Sequence, residues 1–312
     1  MHQPDTNTSR AMKPLKAAAS ILLLSSAAAF AADHPSHKAP VVAPPSAPIW
    51  TGFYAGLNAG GTWSNNSTNI STTPIYINPN LTTFTGPVAA MVASGALNSN
   101  VGGFIGGGQV GYNYQFMSKF IAGIEADIQG IAGSRSGQGT VTAAIIPYNG
   151  NPNDTWANYK SVNNTLNYLG TVRGRIGFLV TPSILIFGSG GLAYGGVNSQ
   201  TNLTWTATPV SSFSSGGSTF WGQGSYSSTN VGWTAGGGGE WMFMSNWSAK
   251  IEYLYYDLGS VNYTTYTLRP RNDGSANFLM STNTSTRFNG NIVRAGVNYH
   301  FNFASAPVLA KF

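Results

Sequence analysis

The segment from Asn289 to Phe303 alternates between apolar and polar residues without a break. Successive side chains of a β-strand point to opposite faces, so this segment predicts a strand with one apolar and one polar face. The apolar face of such a strand packs against the core of a soluble protein, or it faces lipid in a membrane barrel while the polar face lines the lumen. The apolar positions are Val293, Ala295, Val297, Tyr299, Phe301 and Phe303, and the polar face carries Arg294, Gly296, Asn298, His300 and Asn302.

Similar alternation recurs along the chain and predicts eight strands, of which the fifth alternates least clearly. The first seven are Trp50–Trp63, Gly102–Phe116, Phe120–Ile131, Leu166–Val180, Ile184–Asn198, Thr229–Phe243 and Trp247–Val261. At roughly 12–15 residues they are longer than the five or six residues usual in soluble sheets. This pattern favours an all-β fold, namely an eight-stranded antiparallel transmembrane β-barrel.

The predicted strands are joined alternately by short and long connections. Three short turns are expected at Met117–Lys119, Thr181–Ser183 and Met244–Asn246. Four long segments rich in Asn, Ser, Thr and Gly are expected to be loops, at Ser64–Val101, Gly133–Thr165, Ser199–Ser228 and Asn262–Phe288. Short periplasmic turns and long extracellular loops are typical of outer-membrane barrels.

Aromatic residues cluster at both ends of the predicted strands, which suggests girdles at the two membrane interfaces. The predicted lower girdle contains Trp50, Phe53, Phe116, Phe120, Phe243, Trp247, Phe301 and Phe303, and the upper one contains Trp63, Tyr194 and Tyr255.

Composition narrows the choice of protein class. Only 8% of the residues are charged and 12% are aromatic, while the mean hydropathy is −0.05. A helical membrane protein would contain apolar runs of about 20 residues, and a disordered chain would lack the aromatics. The absence of cysteine excludes thiol catalysis, cysteine-based zinc sites and disulfides.

The N-terminal residues resemble an export signal. Lys13 and Lys16 precede the short apolar run Ala17–Ala32, which ends in the small-x-small pattern Ala29-Phe30-Ala31. We therefore predict a signal peptide over residues 1–31, with an N-terminal anchor helix as the alternative and Met1 or Met12 as the start. A Pro-rich periplasmic tether follows at residues 32–49, then the barrel at 50–303 and a C-terminal tail at 304–312.

Charged residues recur on the face predicted to line the lumen. Four acids and four bases occupy that face, and because an unpaired buried charge costs several kcal/mol, they are expected to pair across the interior. The alternative is a polar conduit or gate. The residues are Glu125, Asp127, Arg173, Arg175, Glu240, Lys250, Glu252 and Arg294.

Other motifs do not support catalysis or cofactor binding. The glycines of Gly106–Gly111 match a dinucleotide-binding spacing, but they lie within a predicted strand and open no helix. His34 and His37 fall in the tether, and no acid–His–nucleophile set can be assigned around His300. No catalytic, cofactor-binding or metal-binding residue is therefore predicted, and the protein is expected not to be an enzyme.

Three segments resemble the alphaproteobacterial outer-membrane immunogenic proteins. Trp50–Gly61, Thr171–Gly177 and Val293–Phe301 are similar to the opening, fourth and closing strands of that family. The resemblance implies a porin-like surface barrel in the outer membrane of a Gram-negative bacterium, with haemin-binding members among its relatives. This chain continues past Phe303 to Phe312, so either residue is a candidate for the aromatic terminus that the assembly machinery reads.

Three functions follow as hypotheses, of which we favour a structural surface barrel that supports envelope integrity and acts as a surface antigen. A small-solute channel is the second. The third is haemin or host-surface binding through the extracellular segments, using the cations Arg135, Lys160, Arg269, Arg271 and Arg287. The expected partners are outer-membrane lipids, lipopolysaccharide and the assembly machinery. Nucleic acid is not expected, because the positive residues are not clustered.

Overall fold

The structure is a computed structural model that describes residues 50–76, 85–148, 151–208, 218–270 and 276–301. The predicted signal peptide, the tether up to residue 49 and the tail lie outside these residues. The described elements are β1 (Gly52–Trp63), β2 (Ser67–Tyr76), α1 (Thr85–Ala93), β3 (Gly95–Asn98), β4 (Gly103–Phe116), β5 (Phe120–Ala132), β6 (Arg135–Tyr148), β7 (Asn151–Thr181), β8 (Ile184–Thr208), β9 (Ser218–Met244), β10 (Trp247–Pro270) and β11 (Ala276–Phe301).

Eight strands close into an antiparallel ring in the order β1-β4-β5-β7-β8-β9-β10-β11. The ring closes where β1 pairs with β11, from Phe53 opposite Phe301 to Trp63 opposite Asn291. At one rim, β4 and β5 are joined by the predicted turn Met117–Lys119. The other two turns at that rim are one residue shorter than predicted, because Thr181 and Met244 are the last residues of β7 and β9. The predicted eight-stranded barrel is confirmed.

The strands extend far beyond the opposite rim, into segments that we expected to be loops. β7 has 31 residues and β11 has 26, and the predicted loop segments also contain β2, β3, β6 and α1. That part of the prediction was wrong. Threonine, which is β-branched and favours strands, fills buried alternate positions there, as at Thr282, Thr284 and Thr286.

Beyond the rim the ring opens into two four-stranded sheets, which we call the extension. β9 and β10 pair only as far as Trp233 opposite Asp257, and above this level they separate. One sheet is β6-β7-β8-β9, and the other is β10-β11-β2-β3. They approach closely at one corner, because a Cβ on Gly222 would overlap the hydroxyl of Thr267.

The extension has its own apolar core, into which α1 inserts. Trp156, Trp205 and Phe220 of one sheet join Ile70 and Met280 of the other in this core. The helix contributes the buried Ala89, Ala90, Val92 and Ala93. No helix in the described part of the chain is long and apolar enough to cross a bilayer.

The outer wall of the ring carries a continuous apolar belt. Outward positions such as Leu57, Ile124, Ile176, Ile251 and Val297 are all exposed, as lipid-facing positions require. Aromatic pairs border the belt below and above: Phe116 with Phe120, Phe120 with Phe178, Trp247 with Tyr299, and Trp233 with Tyr255.

Trp50 does not belong to the lower girdle as predicted. It is 0% exposed and belongs to an apolar cluster inside the ring, where its indole nitrogen donates to the carbonyl oxygen of Pro182 at 3.0 Å. It precedes β1, so strand alternation does not govern its direction. Phe303, assigned to the same girdle, lies outside the described residues.

Glycines on the inner wall allow the small ring to curve. A Cβ on the inward Gly238 would overlap the carbonyl oxygen of Ile251, whereas a Cβ on the outward Gly239 would be 3.8 Å from its nearest neighbour. The inward Gly60 and Gly107 show the same overlap with backbone oxygens of adjacent strands. Curvature therefore crowds the inner wall and leaves space on the outer wall.

Candidate functional site: the filled lumen

Eight charged side chains meet at the centre of the ring. They are carried by β5, β7, β9, β10 and β11 at alternate positions, which all point inward because of the two-residue period of strands. Each is at most 4% exposed. The structure thus brings together all of Glu125, Asp127, Arg173, Arg175, Glu240, Lys250, Glu252 and Arg294.

Arg173 pairs with three of the four acids. Its guanidinium contacts Glu125, Asp127 and Glu252, at 2.5, 3.0 and 2.5 Å respectively. The remaining donors are used within the same layer, since Nε donates to the hydroxyl of Thr171 and Nη1 to that of Ser189. One guanidinium therefore links strands β5, β7, β8 and β10.

Two further cations contact the same carboxylates from the other side. Arg294 donates to Asp127 at 2.8 Å and to Glu252 at 2.7 Å. The Lys250 ammonium donates to Glu125 at 2.8 Å and to the side-chain oxygen of Gln109 at 3.0 Å. Glu125 contacts four bases and Glu252 contacts three, so the network is shared among strands rather than divided into separate pairs.

The lower part of the network is centred on Arg175. Its guanidinium donates to Glu240 at 2.7 Å and to the hydroxyl of Tyr54 at 2.9 Å. Its Cζ lies 4.1 Å from the ring centre of Phe187, a cation–π contact. This contact joins the charge layer to the apolar layer below it.

Several uncharged residues that complete the network were not predicted. Tyr54 donates to Glu125 at 2.7 Å, Thr171 to Asp127 at 2.8 Å, and Asn298 to Glu240 at 2.7 Å. All lie on inward positions of their strands. The charged residues were identified as polar side chains at the alternate, inward-pointing positions of the strands. The same criterion would also have identified Tyr54, Thr171 and Asn298.

His300 lies beside Ser248 and Glu240, an acid and a hydroxyl that could not be assigned to it from the sequence. The Ser248 hydroxyl is 2.9 Å from His300 Nε2 and 2.6 Å from Glu240, and Glu240 is 3.6 Å from the same Nε2. In a catalytic triad the acid and the nucleophile contact opposite ring nitrogens. Here both address one nitrogen, and all three residues are buried, so the geometry fits a structural role.

Apolar layers cover the charge network on both sides. Below it lie Trp50, Ile121, Leu179, Leu185, Phe187 and Met242. Above it, at the rim from which the extension rises, a larger cluster includes Ile105, Leu169, Leu254, Phe288 and Ile292. The lumen is therefore filled by alternating apolar and charged layers, as is expected for a barrel of eight strands.

The cations suggested for a ligand site in the extracellular segments occupy separate places. Arg135 is exposed on the outer face of the β6-β7-β8-β9 sheet. Arg287 pairs with Asp257. Lys160 is buried in the extension, where it donates to the carbonyl oxygens of Val92 and Ser94 at the end of α1, and burial lowers its pKa. Arg271 and the side chain of Arg269 lie outside the described residues.

The lipid-facing ring that encloses this network agrees in fold with a known family of outer-membrane proteins. Residues 17–301 match the family model of the outer membrane protein beta-barrel domain. The chain belongs to this family. The outer-membrane β-barrel assignment and the predicted resemblance to outer-membrane immunogenic proteins are confirmed.

Among its relatives in the outer-membrane barrel family, the chain is 33% identical to the 31 kDa outer-membrane immunogenic protein of Brucella melitensis, over 91% of this chain and 98% of that protein. It is 28% identical to the 22 kDa outer membrane protein of Rhizobium leguminosarum, over 50% of this chain and 54% of that protein. The solved structure of OprG from Pseudomonas aeruginosa matches 81% of this chain and 99% of its own, with 11% identity and a TM-score of 0.34. A TM-score this low carries no information on function.

Proposed function

We propose that this protein is a structural surface barrel whose lumen is filled rather than open. The observation that carries the proposal is the neutral eight-residue charge network between two apolar layers. Its four acids cancel its four bases, so the lumen offers no net charge to select a passing ion. Each layer joins side chains from several strands, so filling the lumen ties the ring together.

The proposed role has a second part, in which the extension presents a rigid protein surface outside the cell. Its two sheets enclose an apolar core that fixes their relative arrangement, unlike flexible loops. The Brucella relative is named as an immunogenic outer-membrane protein. We infer that the extension is the main antigenic surface of this protein and that the filled barrel anchors it to the envelope.

Conductance in a planar bilayer tests the filled lumen most directly. Refolded protein without residues 1–31, checked for heat-modifiable gel migration, is expected to be silent or to open rarely. Steady conductance that changes on replacing Arg173 or Glu240 would instead identify a channel and make the network its filter.

Thiol labelling provides an independent test, because the chain contains no cysteine. Ser189→Cys places a thiol beside Arg173 in the lumen, and Ser225→Cys places one on the exposed outer face of the extension. A small water-soluble thiol reagent should modify the cysteine at position 225 quickly and the one at 189 slowly. Equal rates would contradict a filled lumen.

A further inference from the structure

The outer wall of the extension contains a polar recess immediately above the lipid belt. It has a volume of about 350 Å³ and is lined by residues of four adjacent strands, including Arg135, Asn163, Thr165, Asn198, Gln200 and Ser227. The ladder places Thr165 opposite Arg135 on one side and Asn198 on the other, with Asn198 opposite Ser227. These pairings form a continuous row across β6, β7, β8 and β9.

The depth of the recess follows from the outward residues of the same strands. On β7 the outward sequence is Val172 and Tyr168 in the belt, followed by Thr165 and Asn163. On β9 it is Trp233 and Val231, followed by Thr229 and Ser227. The Tyr168 hydroxyl contacts that of Thr229 at 2.7 Å, which marks the change from apolar to polar positions. Since strands rise about 3.4 Å per residue, Asn198 of the recess lies about 14 Å along β8 from Tyr194 of the upper aromatic girdle.

The lining chemistry suits a phosphorylated sugar. Amide and hydroxyl side chains supply donors and acceptors for sugar hydroxyls, and the lining residues include no carboxylate. Arg135 supplies a guanidinium, the group whose planar donors match phosphate. Within the described residues Arg135 has no ion pair, whereas the charge of Arg287, the other exposed arginine near this rim, is matched by Asp257.

We propose that this recess binds the phosphorylated sugar headgroup of a glycolipid of the outer leaflet, with Arg135 contacting the phosphate. A ligand at this depth has its acyl chains beside the apolar belt and its headgroup beside the polar row. The recess lies on the outer wall, so its occupancy is independent of whether the lumen conducts.

Binding is tested with refolded protein in detergent micelles and purified rough-type lipopolysaccharide, followed by native mass spectrometry. Because a charge-assisted hydrogen bond contributes about 1.5–3 kcal/mol, Arg135→Gln should weaken the apparent Kd about ten- to hundredfold. Arg287→Gln is the matched control and should bind like the wild type. Ser227→Trp keeps the charge but fills the recess, and should also weaken binding at least tenfold.

Two further probes identify the chemistry that is recognised. Dephosphorylated lipopolysaccharide should bind the wild type as weakly as intact lipopolysaccharide binds Arg135→Gln. Glucosamine 6-phosphate, which lacks acyl chains, should not compete at the concentration of the lipid; equal competition would replace the glycolipid with a soluble sugar phosphate. Equal binding of intact lipopolysaccharide by the wild type, Arg135→Gln and Ser227→Trp would overturn the proposal.

Discussion

The ring and the extension share strands β7 to β11 but distribute apolar and polar side chains differently. In the ring, β7 points Arg173 and Arg175 inward and Val172 and Ile176 outward. Further along, the same strand points Trp156 and Val162 inward while polar residues occupy most outward positions. The strand geometry is unchanged; what changes is the medium outside, which is lipid around the ring and water around the extension. The medium outside each region therefore determines which residue types occupy its outward and inward positions.

This contrast explains why the ring has a charged interior. Apolar side chains on the outer wall of the ring face lipid, so its interior does not have to form a wholly apolar core. Charged residues can occupy that interior because the four acids and four bases neutralise one another. The extension has no apolar surroundings and must supply its own core, which it does with tryptophan, phenylalanine and α1. The two halves therefore respond differently to the same kind of substitution.

The largest effect is expected from removing a charge at the centre of the ring. Arg173→Ala removes one of the two guanidinium groups that pair with Glu125, Asp127 and Glu252 and leaves the buried network with an excess of one acid. Breaking a buried pair typically costs about 3–5 kcal/mol. Heat-modifiable gel migration should show a marked fall in the unfolding temperature, with a much smaller change in any conductance. Lys119→Ala, which removes a charge from an exposed periplasmic turn, should have little effect. A similar fall in both variants would indicate that the network does not stabilise the ring.

The loss of stability caused by a charge added to the outer wall should show whether that position faces lipid or water. Val297 faces outward between Leu57 and Ala249, near the middle of the belt. Val297→Lys should destabilise the folded protein by about 2–4 kcal/mol if the position is mid-membrane, as measured by reversible unfolding in lipid vesicles. Ser225→Lys, outward on the extension, should be close to neutral. A negligible cost at position 297 would contradict the lipid-facing assignment.

A smaller effect is expected from one added methyl group on the curved wall. Gly238→Ala forces a Cβ against the backbone of β10, and overpacking of this kind costs about 1–3 kcal/mol. Gly239→Ala places the same group on the open outer face and should be neutral or slightly stabilising, because it restricts the unfolded chain. Unfolding measurements on the pair compare the two walls directly, and equal stabilities would argue against crowding by curvature.

The smallest effect concerns the buried amine of the extension. Burial lowers the pKa of Lys160, so between its folded pKa and its ordinary value the unfolded state binds more protons. Stability should therefore rise as the pH rises through that window. The Ser94 amide donates to the carbonyl oxygen of Ala90 at the end of α1. As the pH rises through that window, hydrogen exchange at this amide should slow relative to its intrinsic rate. Lys160→Met should abolish this slowing; an unchanged pH profile would exclude Lys160 as its source.

The sequence predicted the ring better than the extension, for a physical reason. Lipid requires an apolar residue at nearly every outward position, so Leu57, Ile124 and Val297 formed a visible pattern and the polar residues between them pointed into the lumen. In the extension both faces accept threonine and asparagine, and the alternation disappears. Threonines such as Thr282 and Thr284 therefore suggested a loop although they are buried in strands.

The candidate site divides in the same way. Inward parity identified all eight charged residues of the network. It gave no sign that Trp50 would turn into the lumen, since Trp50 precedes the first strand. Nor did it bring Ser248 and Glu240 to His300, because these three lie on separate strands and meet only through the ladder. Local pattern gives the direction of a side chain, whereas its neighbours depend on register.

The alternation of the extension has a consequence for antibody recognition. Because every second residue of β7, β8 and β9 points into the core, a linear peptide from one strand displays side chains that the folded protein hides. The residues that an antibody meets together, such as Asn163, Gln200 and Ser225, come from three strands that are adjacent in the ladder. Sera raised against the folded protein should therefore recognise a surface assembled across strands and lose it on boiling, while sera raised against single-strand peptides should bind mainly the denatured chain.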